Sequence, residues 1–201
     1  KTLTGFKYIG EKIRQFENKE IDGTYILGFE ESYGYLIGTH ARDKDAIVSS
    51  LLIAEMAAFY NSKGTSIYKE LQKLYQEFGY YLEGIKSVTL TGKDGIEKMA
   101  NLMTELRETV KDRTIDKNIK IKRDFKTKKE LIVATGEEKD ILLPVENVIQ
   151  FVLEDDTYIT ARPSGTEPKI KFYFSVNAPT KEEVEKKLNE TMEKFVATLK
   201  L

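Results

Sequence analysis

The chain has 201 residues, of which 40% are hydrophobic and 32% charged, a balance typical of a soluble globular protein and not of a disordered one. Its formal net charge of −1 provides no bulk basic field, so we expect neither nucleic acid nor a membrane surface as a partner, and any anion site must be local. Cysteine is absent and His40 is the single histidine. These counts exclude disulfides, thiol catalysis and His-rich metal sites, and they favour a cytoplasmic location.

Residues 1–81 have the pattern of an α/β domain, whose first predicted element is a short strand, TYILGF, at 24–29. A long helix is predicted over 44–64 because an apolar run follows a cap, Asp43 or Asp45. That helix is apolar nearly all round, so we expect it to be buried. The chain begins with lysine and lacks a signal-like segment, which predicts a piece of a longer protein.

A second helix is predicted over 66–79, capped by Thr65 or Ser66 and ended by Gly79. Its apolar residues are spaced to share one face, which should pack against the rest of the domain. These residues are Ile67, Leu71, Leu74 and Phe78.

Residues 82–201 predict an α+β domain, in which an antiparallel sheet is flanked by helices over 91–110 and 180–200. The first helix should present Ile96, Met99, Met103 and Leu106 to the core, and the second Val184, Leu188, Phe195 and Leu199. Alternating residues and short connections predict strands at 85–90, 118–125, 130–135, 148–155, 157–162 and 169–176.

The loop at 162–168, RPSGTEP, holds more functional groups than a hairpin turn needs. Two prolines stiffen its ends, and Gly165 can take positive φ, which lets consecutive N–H groups converge. Ser164 and Thr166 add hydroxyls, and Arg162 adds a planar donor fork suited to phosphate oxygens. Lys169 and Lys171 alternate with apolar residues and should face the open side of the loop. The pattern indicates a phosphate site, with an ordinary turn as the alternative.

Two further segments carry polar groups that a fold does not obviously need. GFEESYGY, at 28–35, offers carboxylates and a serine between glycines, which suits a polyol; a metal site or a solvated acidic turn is the alternative. THARDKDA, at 39–46, places His40, Arg42 and Lys44 just before a helix N-terminus, where cations oppose the dipole. An anionic ligand would explain these cations, and a solvated charged loop is the alternative.

Taken together, these segments resemble motifs of the α-D-phosphohexomutase superfamily, which contains phosphoglucomutases and phosphomannomutases. RPSGTEPKIK is similar to the phosphate-binding loop of the fourth domain, and GFEES to the G-x-E-x-S sugar-binding loop of the third. HARDKD is similar to the segment that follows the sugar loop, and TGFK, at 4–7, to the start of that half of the third domain. The motifs occur in family order, and the Ser-Tyr-Gly that follows Glu31 is most like the phosphoglucomutase branch.

The resemblance implies the back part of domain 3 over residues 1–81 and the complete domain 4 over 82–201. It implies sugar contacts for Thr4, Glu30 and Ser32, and substrate contact or proton transfer for Lys44, with His40 as a weaker candidate. The implied phosphate contacts are Arg162, Ser164, Gly165, Thr166 and Lys171. Lys171 stands where many relatives carry arginine, which puts a bidentate clamp at that position in doubt.

The family's phosphoserine loop and its magnesium-binding aspartate loop have no counterpart in this sequence. The resemblance therefore implies a hexose-phosphate substrate, Mg²⁺ and glucose 1,6-bisphosphate only for a parent protein with N-terminal mutase domains. No metal ligand is assigned here, and the chain alone is expected to be inactive. A phosphopentomutase, a phosphomannomutase or a non-catalytic sugar-phosphate-binding module would use the same residues, and a nucleic-acid-binding sheet domain is disfavoured.

Overall fold

The computed structural model describes residues 1–30, 33–91, 94–108, 119–165 and 167–199, and it divides them into two compact units, 1–73 and 74–201. The boundary predicted after residue 81 falls inside a strand that begins at Tyr80. The division between the two units falls inside the helix predicted over 66–79, because the last residues of that helix belong to the second unit.

The first unit has a two-stranded antiparallel hairpin and helices before and after it. The elements are α1 (Phe6–Glu17), β1 (Leu27–Glu30), β2 (Gly34–Ile37), α2 (Ala46–Ser62) and α3 (Ile67–Phe78). The helix α1 was not predicted. The strand predicted at 24–29 is β1, which begins at Leu27 and forms one half of the hairpin. A small core packs α1 against the hairpin, and its buried members are Phe6, Ile9, Ile13 and Leu36.

The prediction that α2 is buried was wrong. The helix is capped by Asp45, one of the two predicted cap residues. The Asp45 carboxylate accepts hydrogen bonds from the N–H groups of Ile47 and Val48. Its apolar side chains, however, are largely exposed: Ile47 is 84% accessible, and Ser49 is the buried residue of the helix. A helix that is apolar all round needs neighbours on every side, and the described hairpin packs on only one.

The second unit is a seven-stranded antiparallel sheet with helices on one face, which confirms the predicted α+β architecture. In space the strands follow the order β3-β9-β8-β7-β4-β5-β6, so β3 lies at one edge. The strands are β3 (Tyr80–Thr89), β4 (Ile119–Asp124), β5 (Lys129–Ile132), β6 (Glu137–Asp140), β7 (Ile149–Leu153), β8 (Tyr158–Pro163) and β9 (Lys169–Ala178). The short, wholly exposed β6 was not predicted.

Two helices, α4 (Gly95–Glu108) and α5 (Lys181–Thr198), cover the inner face of this sheet. The four core residues predicted for α5 are buried, and Thr180 and Glu183 form a capping box at the start of the helix. In α4 the predicted stripe is wrong at Ile96, which is 68% exposed, while Leu102 is buried instead. The core side of β9 alternates as predicted, with Ile170, Phe172, Phe174 and Val176 all buried.

Candidate functional site

In the first unit, Glu30 and Lys44 form an ion pair at the end of β1. The Lys44 Nζ lies 3.1 Å from the Glu30 Oε1, and the Glu30 side chain is only 9% exposed. This hydrogen bond raises the pKa of Lys44. The structure thus brings together Glu30, which was predicted to contact the sugar, and Lys44, which was predicted to contact substrate or transfer a proton. Ser32, the third residue predicted near them, lies outside the described residues.

The stem of Lys44 crosses the hairpin over a glycine. A Cβ atom at Gly34 would lie 2.5 Å from the Lys44 Cδ, so any side chain there would displace the lysine. The Lys44 Nζ also sits 5.5 Å from the centre of the buried Phe6 ring. Phe6 belongs to the TGFK segment, so that segment meets the sugar loop through Lys44, while Thr4 itself is exposed just before α1.

The neighbouring basic side chains also have partners within the unit, so an anionic ligand, one of the two explanations considered for them, is not required. The His40 Nε2 lies 2.8 Å from the Asp45 Oδ2, and Arg42 donates to Glu17 at 2.5 Å. Arg42 also donates to the backbone carbonyl of Thr39 at 2.7 Å. The hydrogen bond with His40, together with the N–H groups of α2, lowers the pKa of the Asp45 carboxyl.

A glycine at Gly28 could let a ligand approach the backbone, but side chains of the chain itself take that space. A Cβ at Gly28 would lie 2.5 Å from the Tyr25 hydroxyl and 2.6 Å from the Ile9 Cγ2. The Tyr25 hydroxyl donates to the Leu36 carbonyl oxygen at 3.0 Å, which ties the preceding loop to β2. This glycine is therefore explained by packing.

In the second unit, Arg162 and Lys171 are direct cross-strand partners at the end of the β8–β9 hairpin. Partners in register share one face of a sheet, with Cβ atoms roughly 5 Å apart. That face is opposite the buried Ile170 and Phe172, as predicted, and it also carries Lys169. Within the part of the chain that the structure describes, the side chains of these three cations form no hydrogen bond or ion pair.

The loop that joins these strands is closed by its own backbone. The Ser164 N–H donates to the Lys169 carbonyl at 2.7 Å, the Lys169 N–H donates to the Glu167 carbonyl at 2.8 Å, and the Glu167 N–H donates to the Ser164 Oγ at 3.3 Å. Thr166 lies outside the described residues.

Gly165 does not have the positive φ expected of it. A Cβ added there would meet nothing within 4 Å. Neither the backbone conformation nor packing against the described residues therefore requires glycine at this position. The Gly165 N–H makes no hydrogen bond to any described residue.

The connection from β3 to α4 supports this loop from behind. The Leu90 N–H donates to the Pro168 carbonyl oxygen at 2.8 Å. A Cβ at Gly95 would lie 2.1 Å from the Leu90 carbonyl oxygen and 3.0 Å from the Pro168 Cβ. Any side chain at Gly95 would therefore push against both the loop and the residue that holds it. A glycine in the first turn of a helix, where it lowers helix propensity, is the signal in the sequence that could have revealed this support.

Among the described residues, no three His, Cys, Asp or Glu side chains group together as metal ligands would. No residue is therefore assigned to hold magnesium. None of the helices in the described ranges combines the length and apolar character needed to cross a bilayer.

Comparisons with known proteins agree with both units. Residues 1–78 match the family described as phosphoglucomutase/phosphomannomutase, alpha/beta/alpha domain III. A phosphoglucomutase of Staphylococcus aureus (strain MRSA252) is 36% identical over 187 residues, which are 93% of this chain and 33% of that protein. A phosphoglucomutase of Staphylococcus haemolyticus is 34% identical over 90% of this chain and 32% of its own length.

The crystal structure of pp63/parafusin from Paramecium, a phosphoglucomutase in an open form, has a similar fold. It superposes with a TM-score of 0.61 and 19% identity, over 98% of this chain and 33% of that one. This chain thus spans about a third of the length of its relatives. The family match over residues 1–78 and the sequence identity along most of the chain support a C-terminal fragment of the phosphohexomutase superfamily, and the shared fold agrees with this assignment.

Proposed function

We propose that this chain supplies the sugar-holding and phosphate-holding part of a phosphoglucomutase that interconverts glucose 1-phosphate and glucose 6-phosphate. The observation that carries the proposal is the pair formed by Arg162 and Lys171, which face each other at the base of a stiff loop. Two like charges directly opposite each other destabilise a sheet. A bound anion would remove that repulsion.

The phosphate end of the site would work by charge neutralisation and positioning. Arg162 offers parallel donors to two phosphate oxygens, and Lys171 and Lys169 add point charges beside it. The Gly165 N–H, the hydroxyls of Ser164 and Thr166, and the absence of a Cβ at Gly165 let a phosphate approach the loop backbone. Holding the phosphate that is not being transferred fixes the sugar relative to the reacting centre.

The sugar end would use the first unit. Glu30 and Ser32 would hold neighbouring hydroxyls of the ring, with Thr4 beside them. Lys44 can donate to a substrate oxygen while its stem stays fixed over Gly34 and Phe6. His40 is the weaker candidate, because its Nε2 is already bonded to the α2 cap.

The chemistry that completes the reaction belongs to the parent protein. We infer a phosphoserine and a magnesium site in N-terminal domains, glucose 1,6-bisphosphate as the intermediate, and a cytoplasmic location. Mg²⁺ would neutralise phosphate charge at the phosphoserine. The working division of this segment would be sugar binding in residues 1–81 and phosphate binding in residues 82–201.

The binding part of the proposal can be tested on the chain itself. Inorganic phosphate, added at millimolar concentration, should shift the NMR amide signals of residues 162–171. Arg162→Ala should weaken this binding at least tenfold, because it removes the charge-assisted fork. The matched control is Arg14→Ala, which removes an exposed arginine paired with Glu11 and Glu20 in the other unit. Unchanged loop signals in the unmodified chain would overturn the phosphate assignment.

The catalytic part needs an activity assay. This chain alone should not interconvert glucose 1-phosphate and glucose 6-phosphate, and measurable turnover would contradict the inferred phosphoserine outside it. In a parent protein, glucose, mannose and ribose phosphates should be compared, since a phosphomannomutase or phosphopentomutase would prefer the second or third. A parent protein that binds all of these and converts none would be a sugar-phosphate-binding module.

A further inference from the structure

The seven-stranded sheet of the second unit has two edges, which differ in length and in chemistry. One edge is β3, which has ten residues and pairs with β9 from Tyr80 to Thr89 without a bulge or a proline. Short, charged edge strands keep a further strand from adding to a sheet, whereas a long and regular edge invites one. The other edge, β6, is protected in this way, since its four residues are all exposed and all charged: Glu137, Glu138, Lys139 and Asp140.

The free side of β3 carries apolar groups next to its backbone. Among the strands that the structure describes, none pairs with β3 on the side away from β9, so alternate N–H and C=O groups of β3 point away from the sheet. On the outer face of the sheet, Tyr81 and Ile85 are each 57% exposed. On the inner face, Met192 of α5 packs over Gly84, where a Cβ would lie 2.8 Å from the Met192 Sδ. A strand added here would cover apolar side chains on both faces.

The side chains of β3 are complementary to those of a second β3 in one antiparallel register. Directly opposite residues of an antiparallel pair share one face of the sheet, so two copies related by a twofold axis pair around a single residue. With the axis at Ile85, each Ile85 faces its equivalent in the second copy. Glu83 then faces Ser87, whose hydroxyl can donate to the carboxylate. No two like charges stand opposite each other in this register, which favours the pairing.

The single cation of β3, Lys86, is compatible with the same register. It lies on the inner face, where a charge can protect an edge from further pairing. Around an axis at Ile85 it stands opposite Gly84 of the second copy, which has no side chain to meet it. Its aliphatic stem can lie against Met192 of the second copy while its exposed ammonium group stays in water. An axis at Gly84 would instead set Glu83 against Ile85, so the register around Ile85 is preferred.

We propose that a second copy of this chain binds along β3 in an antiparallel twofold pair centred on Ile85, so that the two sheets become one. The interface consists of one strand pair and the side chains that flank it, which is smaller than the interface of a stable dimer. The dissociation constant should therefore be about 100 µM. This inference does not depend on phosphate binding, because it uses the edge of the sheet and not the loop at 162–168.

The test is sedimentation velocity of the full chain between about 10 µM and about 1 mM, where monomer should give way to dimer. Ile85→Lys should weaken the dimer about tenfold, because it removes an apolar contact and sets two like charges against each other at the axis. Ile85→Val keeps a branched apolar side chain and should dimerise as the unmodified chain does. The matched control is Ile96→Lys, which adds the same charge at an exposed isoleucine of α4 and should leave the dimer unchanged.

The exposed apolar side of α2 is the rival source of self-association, and Ile47→Lys tests it. Loss of the dimer in Ile47→Lys, with the dimer retained in Ile85→Lys, would overturn the proposal, as would a chain that stays monomeric throughout. A second measurement uses the unmodified chain, so it gives a result even if Ile85→Lys does not fold. As the concentration rises, NMR amide signals of residues 80–89 should shift and those of residues 137–140 should not; unchanged signals along β3 would contradict the pairing.

Discussion

The two units treat their cations in opposite ways. In the first, Arg42 and Lys44 pair with Glu17 and Glu30, and the His40 ring contacts the Asp45 carboxylate. In the second, Arg162 and Lys171 face each other, and neither pairs with any residue that the structure describes. The first arrangement stabilises a local fold. The second places like charges directly opposite each other, which costs stability in the fold and which a bound anion would offset.

The glycines show the same contrast. Gly28 and Gly34 are explained by side chains of the chain that would clash with a Cβ. Gly165 has open space around it and no positive φ. A glycine that the folded chain does not need is consistent with a ligand that needs the space.

The variant with the largest expected effect tests whether Gly95 supports the loop at 162–168 in addition to packing within the second unit. Gly95→Ala puts a Cβ against the Leu90 carbonyl and should lower the free energy of unfolding of the second unit by about 3 kcal/mol. It should also weaken phosphate binding, because Leu90 holds Pro168. The control is Gly84→Ala, whose Cβ would meet the side chains of Met192 and Leu188. That variant should destabilise the unit and leave phosphate affinity unchanged; urea unfolding and phosphate titration measure both quantities.

A second pair of variants tests the contrast between glycines. Gly28→Ala should lower the stability of the first unit by about 2 kcal/mol, because the added methyl group displaces Tyr25 and Ile9. Gly165→Ala should leave unfolding unchanged and weaken phosphate binding. Amide exchange followed for each unit separately gives the stabilities. A Gly165→Ala variant that is destabilised and binds phosphate normally would reverse our interpretation of the loop.

The contacts of Asp45 in the first unit predict that the stability of this unit falls at low pH. Because the folded state lowers the pKa of Asp45, its contribution to stability is complete above the ordinary aspartate pKa of 3.8 and is lost as the pH falls through the lower folded value. Between pH 5 and pH 3 the unmodified chain should therefore lose more stability in this unit than Asp45→Asn, which keeps a capping oxygen without the charge. If urea unfolding shows that the unmodified chain and Asp45→Asn lose the same free energy of unfolding between pH 5 and pH 3, this prediction is wrong.

The smallest expected effect concerns repulsion across the β8–β9 pair. Lys171→Ala should raise the stability of the second unit in phosphate-free buffer by about 0.3 kcal/mol, since it removes a like charge opposite Arg162. In saturating phosphate the order should reverse, because binding stabilises only the unmodified chain. Lys181→Ala removes an exposed lysine at the start of α5 and serves as the control.

The sequence predicted the second unit better than the first for a physical reason. In β9, strict alternation of apolar and polar residues determines which face is buried, so it also predicted the direction of Lys171. In α2, composition predicted burial, but burial depends on neighbouring elements that a helix pattern cannot identify. The partners of His40 and Arg42 could not be predicted either, because Glu17 lies 25 residues from Arg42 along a helix that the pattern did not reveal.

The register between β8 and β9 has a consequence for how the chain folds. The same pairing that buries Phe172 brings Arg162 opposite Lys171, so the proposed phosphate site would form when this local hairpin closes. Hairpin closure then brings two positive charges together before any ligand is present. Phosphate in the refolding buffer would lower this barrier, so the ligand would assist the folding of its own binding site.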